Sequence, residues 1–313
     1  VINLSDRDVG KFNKSFRDFK GKSYLNTMIY ETAKNYKPDL ILLGHSYDIE
    51  NKTLERIKDY SKNTIISQWF EDHLADTGPD FSTNRKKLLK YDDFIKSNFI
   101  TTHPSTLDFL KKKNNFHYLP IPVDKNIEKL KIYENKNQIC DVFFSMSHGV
   151  NRGKLKRDKV DERHNFISDL ITECPNIIFD IYGYKNREPV WAEDFYKVIV
   201  NSKMALNLTR GRPLKYLTSN RIASLIGNGL LTFIDKKTKL NNFFNNNEVV
   251  FYSGLQDLAD KINYYKSNDV SRIKIAKNGR KKYFDLFECQ KVANYIISKS
   301  FDREIPKHLK WMD

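Results

Sequence analysis

Met204-Ala205-Leu206-Asn207-Leu208-Thr209-Arg210-Gly211-Arg212-Pro213 and, shortly after it, Ser219-Asn220-Arg221-Ile222-Ala223-Ser224-Leu225-Ile226-Gly227-Asn228-Gly229-Leu230-Leu231-Thr232-Phe233-Ile234 make up one strand–helix–strand unit. Residues 204–208 read as a strand. Ser219-Asn220-Arg221 opens a helix that turns Ile222, Leu225 and Ile226 inward, and Asn228-Gly229 ends it. Residues 230–234 read as the next strand. The same alternation spreads outward. Upstream lie a strand at 141–145, a helix at about 161–173 and a strand at 177–182 ending on Gly183. A helix through Phe195, Val198 and Ile199 follows. Downstream lie a strand at 249–252 and helices at roughly 254–266, 270–286 and 288–300. Alternating strands and helices predict an α/β fold with parallel sheets.

The first half repeats the pattern. Leu25, Met28, Ile29, Ala33 and Tyr36 stand at helical spacing over 21–37, and Pro38 stops that helix. The apolar run Leu40-Ile41-Leu42-Leu43 predicts a strand buried on both faces. Leu54, Ile57 and Tyr60 mark a helix, and strands are expected at 64–69 and 116–119. Thr102-His103-Pro104-Ser105 reads as a helix start. Residues 123–138 are polar and read as a linker with a short helix. The expected organisation is a first domain at 1–122, the linker, a second domain at 139–290, and a helix and tail at 291–313 packing back on the first domain. The start at Val1 and the short first half read as a fragment or a processed form.

The 313 residues carry 54 Lys+Arg against 39 Asp+Glu, a net charge of +15. Such a field favours anionic partners: nucleotides, nucleic acid or an acidic membrane surface. At 40% hydrophobic and 13% aromatic residues the chain has material for real cores, which excludes wholesale disorder. No apolar run reaches the ~18–20 residues of a membrane span, and the opening residues do not read as a secretory signal. Cys140, Cys174 and Cys289 are isolated. They are expected to be buried structural thiols in a reducing, cytoplasmic setting, without disulfides or a metal motif.

In open parallel sheets ligands bind outside the carboxyl ends of the strands, and three such ends carry chemistry. The loop after 141–145 holds His148, Gly149, Arg152 and Lys154. Its glycine lets backbone N–H groups approach phosphate and its cations neutralise charge. Asn207, Arg210 and Arg212 follow the next strand end, and Asn220 and Arg221 begin a helix whose N-terminus is partly positive. Guanidinium forks there suit a diphosphate. In the first half Glu71-Asp72-His73 follows an apolar strand and can supply a general base. His45 and His103 are read as lining the cleft or capping helices. Trp69 and Trp191 are read as packing residues.

The run Ser219 to Thr232, with Leu240 to Phe244, Glu248-Val249-Val250-Phe251-Tyr252 and the helix holding Leu255 and Leu258, resembles the donor-site half of GT-B glycosyltransferases. The resemblance is nearest to the group 1 transferases and the spore-maturation glycosyltransferase-like proteins. Lys37-Pro38-Asp39-Leu40-Ile41-Leu42 and Tyr118-Leu119-Pro120 resemble their first domain. The resemblance implies two Rossmann-like domains facing across a cleft. It implies a nucleotide-sugar co-substrate on the second domain, near Arg210, Asn220 and Arg221, and an acceptor on the first. It implies no cofactor and no metal. Sugar transfer to a glycan or lipid-linked acceptor in surface polysaccharide or glycoconjugate synthesis follows from it, while the basic surface is read as able to hold the chain near anionic lipid on the cytoplasmic membrane face. Many retaining relatives carry a ribose-holding Glu three residues after the equivalent of Arg221, where this chain has Ser224. The first domain also lacks an opening strand with its glycine-rich loop. Two other readings stand beside transfer: a nucleic-acid-binding protein using the basic surface, although no reader motif occurs and no nucleic acid is expected, and a GT-B-fold sugar-nucleotide epimerase.

Overall fold

Apolar strands separated by amphipathic helices can bury both faces of a sheet only if the helices cover it on either side, and the chain does this twice. The structure is a computed structural model that describes residues 1–76, 78, 80–147, 150–151, 154–155, 162–307 and 309. The first half runs α1 (Asp6–Phe12), α2 (Lys22–Tyr36), β1 (Leu40–Gly44), α3 (Asn51–Tyr60), β2 (Ile65–Phe70), α4 (Phe81–Leu88), β3 (Asn98–Ile100) and β4 (Phe116–Tyr118). Its four strands pair in parallel in the order β1-β2-β3-β4.

The second half runs β5 (Cys140–Ser145), β6 (Val150–Asn151), β7 (Lys154–Leu155), α5 (Glu162–Glu173), β8 (Phe179–Tyr182), α6 (Ala192–Ile199), β9 (Ser202–Asn207), α7 (Arg221–Gly227), β10 (Leu231–Asp235), β11 (Val250–Tyr252), α8 (Leu255–Ser267), α9 (Asp269–Phe287) and α10 (Cys289–Ser300). Apart from the small β6–β7 ribbon, its strands form a parallel sheet in the order β11-β10-β9-β5-β8. From β5 the chain winds outward to β8 and then returns across to β9. The winding therefore reverses between β5 and β9, the switch point at which such sheets open a crevice.

Burial follows position in the sheet. Val142, Phe143 and Phe144 of β5, Met204, Ala205 and Leu206 of β9, and Phe233 and Ile234 of β10 are all inaccessible to solvent. Each large side chain among them stabilises the fold by roughly 1.5–3 kcal/mol relative to exposure. β1 departs from expectation. Its four-residue apolar run is not buried on both faces, because β1 is an edge strand, and Leu42 is 41% exposed. The helix expected at 102–105 is a single 3-10 turn at Pro104–Thr106, which the His103 side chain caps by accepting from Ser105 N–H. All three cysteines are free, but only Cys174 is buried; Cys140 and Cys289 are half-buried. Trp191 does not pack either, being 56% exposed just before α6.

The two sheets share an aromatic core. Tyr118 of β4 stacks on Phe243, with centroids 6.2 Å apart, and meets Tyr216 at 5.1 Å. Tyr283 and Phe287 of α9 and Tyr295 of α10 complete it with Phe99 of β3. Tyr283 donates its hydroxyl to the Ile121 carbonyl at 2.8 Å. The crossover segment is held to α9 and α10 by Val123, whose N–H bonds Phe287 O and whose carbonyl accepts from Cys289 N–H. α10 returns to the first sheet, where Ser300 and Ser67 share a hydroxyl hydrogen bond of 2.8 Å and Lys96 pairs with Asp302 at 2.6 Å.

Candidate active site

At the carboxyl ends of β1 and β2 the backbone turns sharply. Gly44 lies flat on the Trp69 indole, where a Cβ would come within 2.2 Å of Nε1. His45 then adopts a left-handed φ of 46°, a conformation that costs a non-glycine residue energy and recurs at functional sites. Its ring stacks on Phe70 (5.6 Å) and meets Trp69 edge-on. So held, His45 points Nε2 at Glu71 Oε1 (3.3 Å), while Nδ1 shares a 2.5 Å hydrogen bond with the Tyr47 hydroxyl and lies 4.0 Å from Asp72 Oδ2.

The electrostatics follow from these contacts. Burial pushes the Glu71 carboxyl up, but its hydrogen bonds to His45 and to Asn220 outweigh that and hold it below its ordinary value. The hydrogen bond to Glu71 raises His45, against the opposing effect of burial. Glu71 thus remains an ionised acceptor lower in pH than a free glutamate, and His45 stays cationic higher than a free histidine. The sign of each contribution is opposite. The Glu71 share of stability is present above its unfolded pKa and is lost as pH falls through the lowered folded value. The His45 share is present below its unfolded pKa and is lost as pH rises through the raised folded value. The ion pair is intact between the two. His45→Gln removes the charged partner and leaves the burial, so the acid limb of the kcat/KM profile should move to higher pH, as measured from pH–rate curves of both proteins.

The second domain supplies the facing wall. Asn220, at the N-cap position of α7, reaches across to Glu71. Asn207, at the end of β9, is buried and donates Nδ2–H to Thr218 Oγ1 at 3.0 Å. Arg221 directs Nη2 to the Leu208 carbonyl at 2.6 Å and places its guanidinium 5.1 Å from the Phe144 ring centroid. Its first duty is to brace the strand end within its own domain. Arg210 is half-buried and Arg212 exposed. The Glu162 carboxylate, at the start of α5, accepts from Gly211 N–H. That contact brings the start of α5 against the arginine turn.

The turn over 209–220 also reaches the first domain. His103 N–H bonds the Lys215 carbonyl at 3.2 Å, and its Nε2 lies 3.4 Å from Lys215 Nζ. Burial pushes His103 down to about 4, helped by Lys215, so it is neutral at physiological pH. Among the described residues, the buried Asn207 Oδ1, Ser219 Oγ and Thr102 Oγ1 have no hydrogen-bond partner. All three lie by these strand ends or the turn between them, and orphaned buried polar atoms mark a place where water or ligand completes the bonding.

The structure therefore brings together Glu71, Asp72 and Asn220, and places Asn207, Arg210, Arg212 and Arg221 on or beside one turn. His73 is buried. Its Nδ1 accepts from Ala75 N–H at 3.2 Å, and burial lowers its pKa. His148, Gly149 and Arg152 lie outside the described residues, as does the side chain of Lys154. Ser224, one turn further along α7, interacts with Tyr196. The sequence reading passed over His45 as the partner of Glu71. The strand-end rule that selected Glu71 applies equally to a residue directly after Gly44. Among the described residues no group of three or more His, Cys, Asp or Glu is placed to hold a metal ion, and no helix is long and apolar enough to cross a membrane.

Residues 159–298 match the family model described as glycosyl transferase-like. That description is broad and does not single out the spore-maturation subgroup. No curated protein matches by sequence. Among solved structures, Anabaena HepE in complex with UDP and glucose superposes with a TM-score of 0.61 at 15% identity, over 91% of this chain and 83% of that one. TarM of S. aureus, in complex with UDP and α-GlcNAc-glycerol, gives 0.57 at 13% identity, over 88% and 59%. A glycosyltransferase of Rickettsia africae gives 0.54 at 12% identity, over 93% and 83%. Two parallel sheets meeting at their strand ends are the architecture that these proteins share with the chain. The chain has the GT-B fold, and its residues 159–298 are similar to the glycosyl transferase-like family.

Proposed function

We propose that the chain transfers a glycosyl group from a nucleoside diphosphate sugar to an acceptor hydroxyl. One observation carries this reading. At the strand ends of the first domain Glu71 pairs with His45 at 3.3 Å and its carbonyl accepts from the Thr101 hydroxyl, two residues from His103, whose N–H holds the arginine-bearing 209–220 turn of the second domain. The family match over 159–298 supports the same chemistry, and the UDP in the HepE and TarM complexes puts UDP-sugars first among donors to test.

In this reading the bond from the anomeric carbon to the β-phosphate oxygen breaks, and the nucleoside diphosphate leaves with the electron pair. A bond from the acceptor oxygen to the anomeric carbon forms, and the acceptor proton passes to Glu71. Arg210 and Arg212 with the N–H groups at the start of α7 stabilise the charge on the leaving diphosphate. Arg221 positions that turn through Leu208. His45 keeps Glu71 ionised and aimed. The acceptor is a glycan or a lipid-linked sugar.

Calorimetric titration of the full chain with UDP-, GDP- and CMP-sugars tests the reading. Saturable binding of one of them is expected, weakened by Arg210→Ala. Absence of binding to all three overturns it.

A further inference from the structure

The loop over 11–20, made of the last residues of α1 and the connection to α2, turns its apolar side chains outward. Phe12 is 78% exposed, Phe16 89% and Phe19 72%. Phe16 and Phe19 lie beside one another, with centroids 6.0 Å apart. Lys11, Lys14, Arg17 and Lys20 alternate with these rings and are all exposed. The loop has one carboxylate, that of Asp18, and it is turned inward. Asp18 accepts from the Lys22 and Ser23 backbone N–H groups at 2.9 and 2.8 Å, closing the N-terminus of α2. The loop's exposed charges are therefore all cationic, and they alternate with the rings.

The loop is also built to hold this shape. Its two ends cross at Gly10 and Gly21, so closely that a Cβ on Gly21 would lie 2.0 Å from the Gly10 carbonyl oxygen. Ser15 and Asp18 exchange backbone hydrogen bonds of 3.0 and 3.1 Å across it. Three rings exposed to this degree bury little apolar surface and contribute little to the fold. Phenyl rings interleaved with cations do suit a boundary where apolar and anionic layers lie one on the other, as they do at a membrane surface.

We infer that loop 11–20 docks the chain on an anionic lipid surface, with Phe12, Phe16 and Phe19 entering the headgroup layer and the four cations facing lipid phosphates. Charge complementarity selects anionic over zwitterionic lipid. The placement suits the site. Lys22, directly after the loop, pairs with Asp48 at 2.6 Å in the β1–α3 connection that also carries His45. The docking loop thus lies at the same end of the first sheet as Glu71. The inference does not depend on the transferase reading.

Co-sedimentation of the full chain with phosphatidylcholine vesicles, with and without about a third phosphatidylglycerol, tests it. Binding to the anionic vesicles is expected, falling as salt rises from about 0.1 to 0.5 M. The triple variant Phe12→Ser, Phe16→Ser, Phe19→Ser should lose at least about tenfold in binding with an unchanged melting temperature. Replacing the four cations with Gln should lose as much. Equal binding to neutral vesicles, or an unaltered triple variant, overturns the inference. So does tighter binding to a single-stranded oligonucleotide than to vesicles, lost in the same variants, which would make the loop a nucleic-acid contact. Nucleotide-sugar titration of the triple variant reads the other site separately. Retained donor binding with lost vesicle binding is expected, and donor binding absent from the wild type as well would count against the transferase reading alone.

Discussion

Glu71→Gln lowers kcat for glycosyl transfer by about 10²–10⁴-fold, the range for loss of a positioned general base, while donor affinity stays within about threefold. Glutamine keeps the length of the side chain and can still bond His45 and Asn220, so the site retains its shape. What is lost is the anionic acceptor for the acceptor's proton. Initial rates and calorimetric donor titration of the same preparations separate the two quantities. An equal fall in both would mean that Glu71 serves to hold the domains together, through Asn220, and takes no proton. Full activity in the variant would remove Glu71 from the chemistry altogether.

Tyr283→Ala destabilises the chain by about 3–5 kcal/mol, as large-to-small changes in well-packed cores do, and lowers the melting temperature by roughly 10 °C. Tyr283 is 1% exposed, stacks on Phe244 and packs edge-on against Phe287. Its hydroxyl also holds the Ile121 carbonyl in the segment that links the sheets. Truncation leaves a ring-sized cavity and an unpartnered carbonyl where the domains meet. Tyr283→Phe keeps the ring and removes one hydrogen bond, so it should cost only about 1 kcal/mol. Thermal melts of the three proteins check the ranking. A Phe variant as unstable as the Ala variant would assign the effect to the hydroxyl alone.

Much of this architecture is legible in local sequence. Residues 204–234 announce a strand, a helix closed by Asn228-Gly229 and a second strand, and they form β9, α7 and β10. The signals there are periodicity and a glycine at φ 82°, which only the immediate backbone has to satisfy. Leu40 to Leu43 shows where such reading fails. The run is as apolar as a central strand, yet among the described residues β1 has a strand partner on one side only. Sheet order is a property of the whole chain, and no run of four residues encodes it. Trp191 and the half-buried Cys140 and Cys289 are missed for the same reason: residue type gives an average burial, whereas position in the packed fold gives the actual one.

The candidate site divides in the same way. Glu71, Asp72, Asn220 and Arg221 could be picked out by their place after strands or at a helix start. That Arg221 spends a donor on Leu208, that His73 is buried, and that His45 takes a left-handed turn to face Glu71 could not. Each depends on how the packed chain turns, which residue type does not encode.

The sequence by itself determined the alternation of strands and helices, the parallel character of the sheets and the strand ends that bear titratable groups, because these rest on spacings of a few residues. The tertiary structure alone decided the reversal between β5 and β9, the edge position of β1 and the meeting of Glu71 with Asn220. The first two are set by which strands pair within each sheet; the third arises only when the two sheets bury one shared aromatic core, which brings together residues some 150 positions apart in the chain.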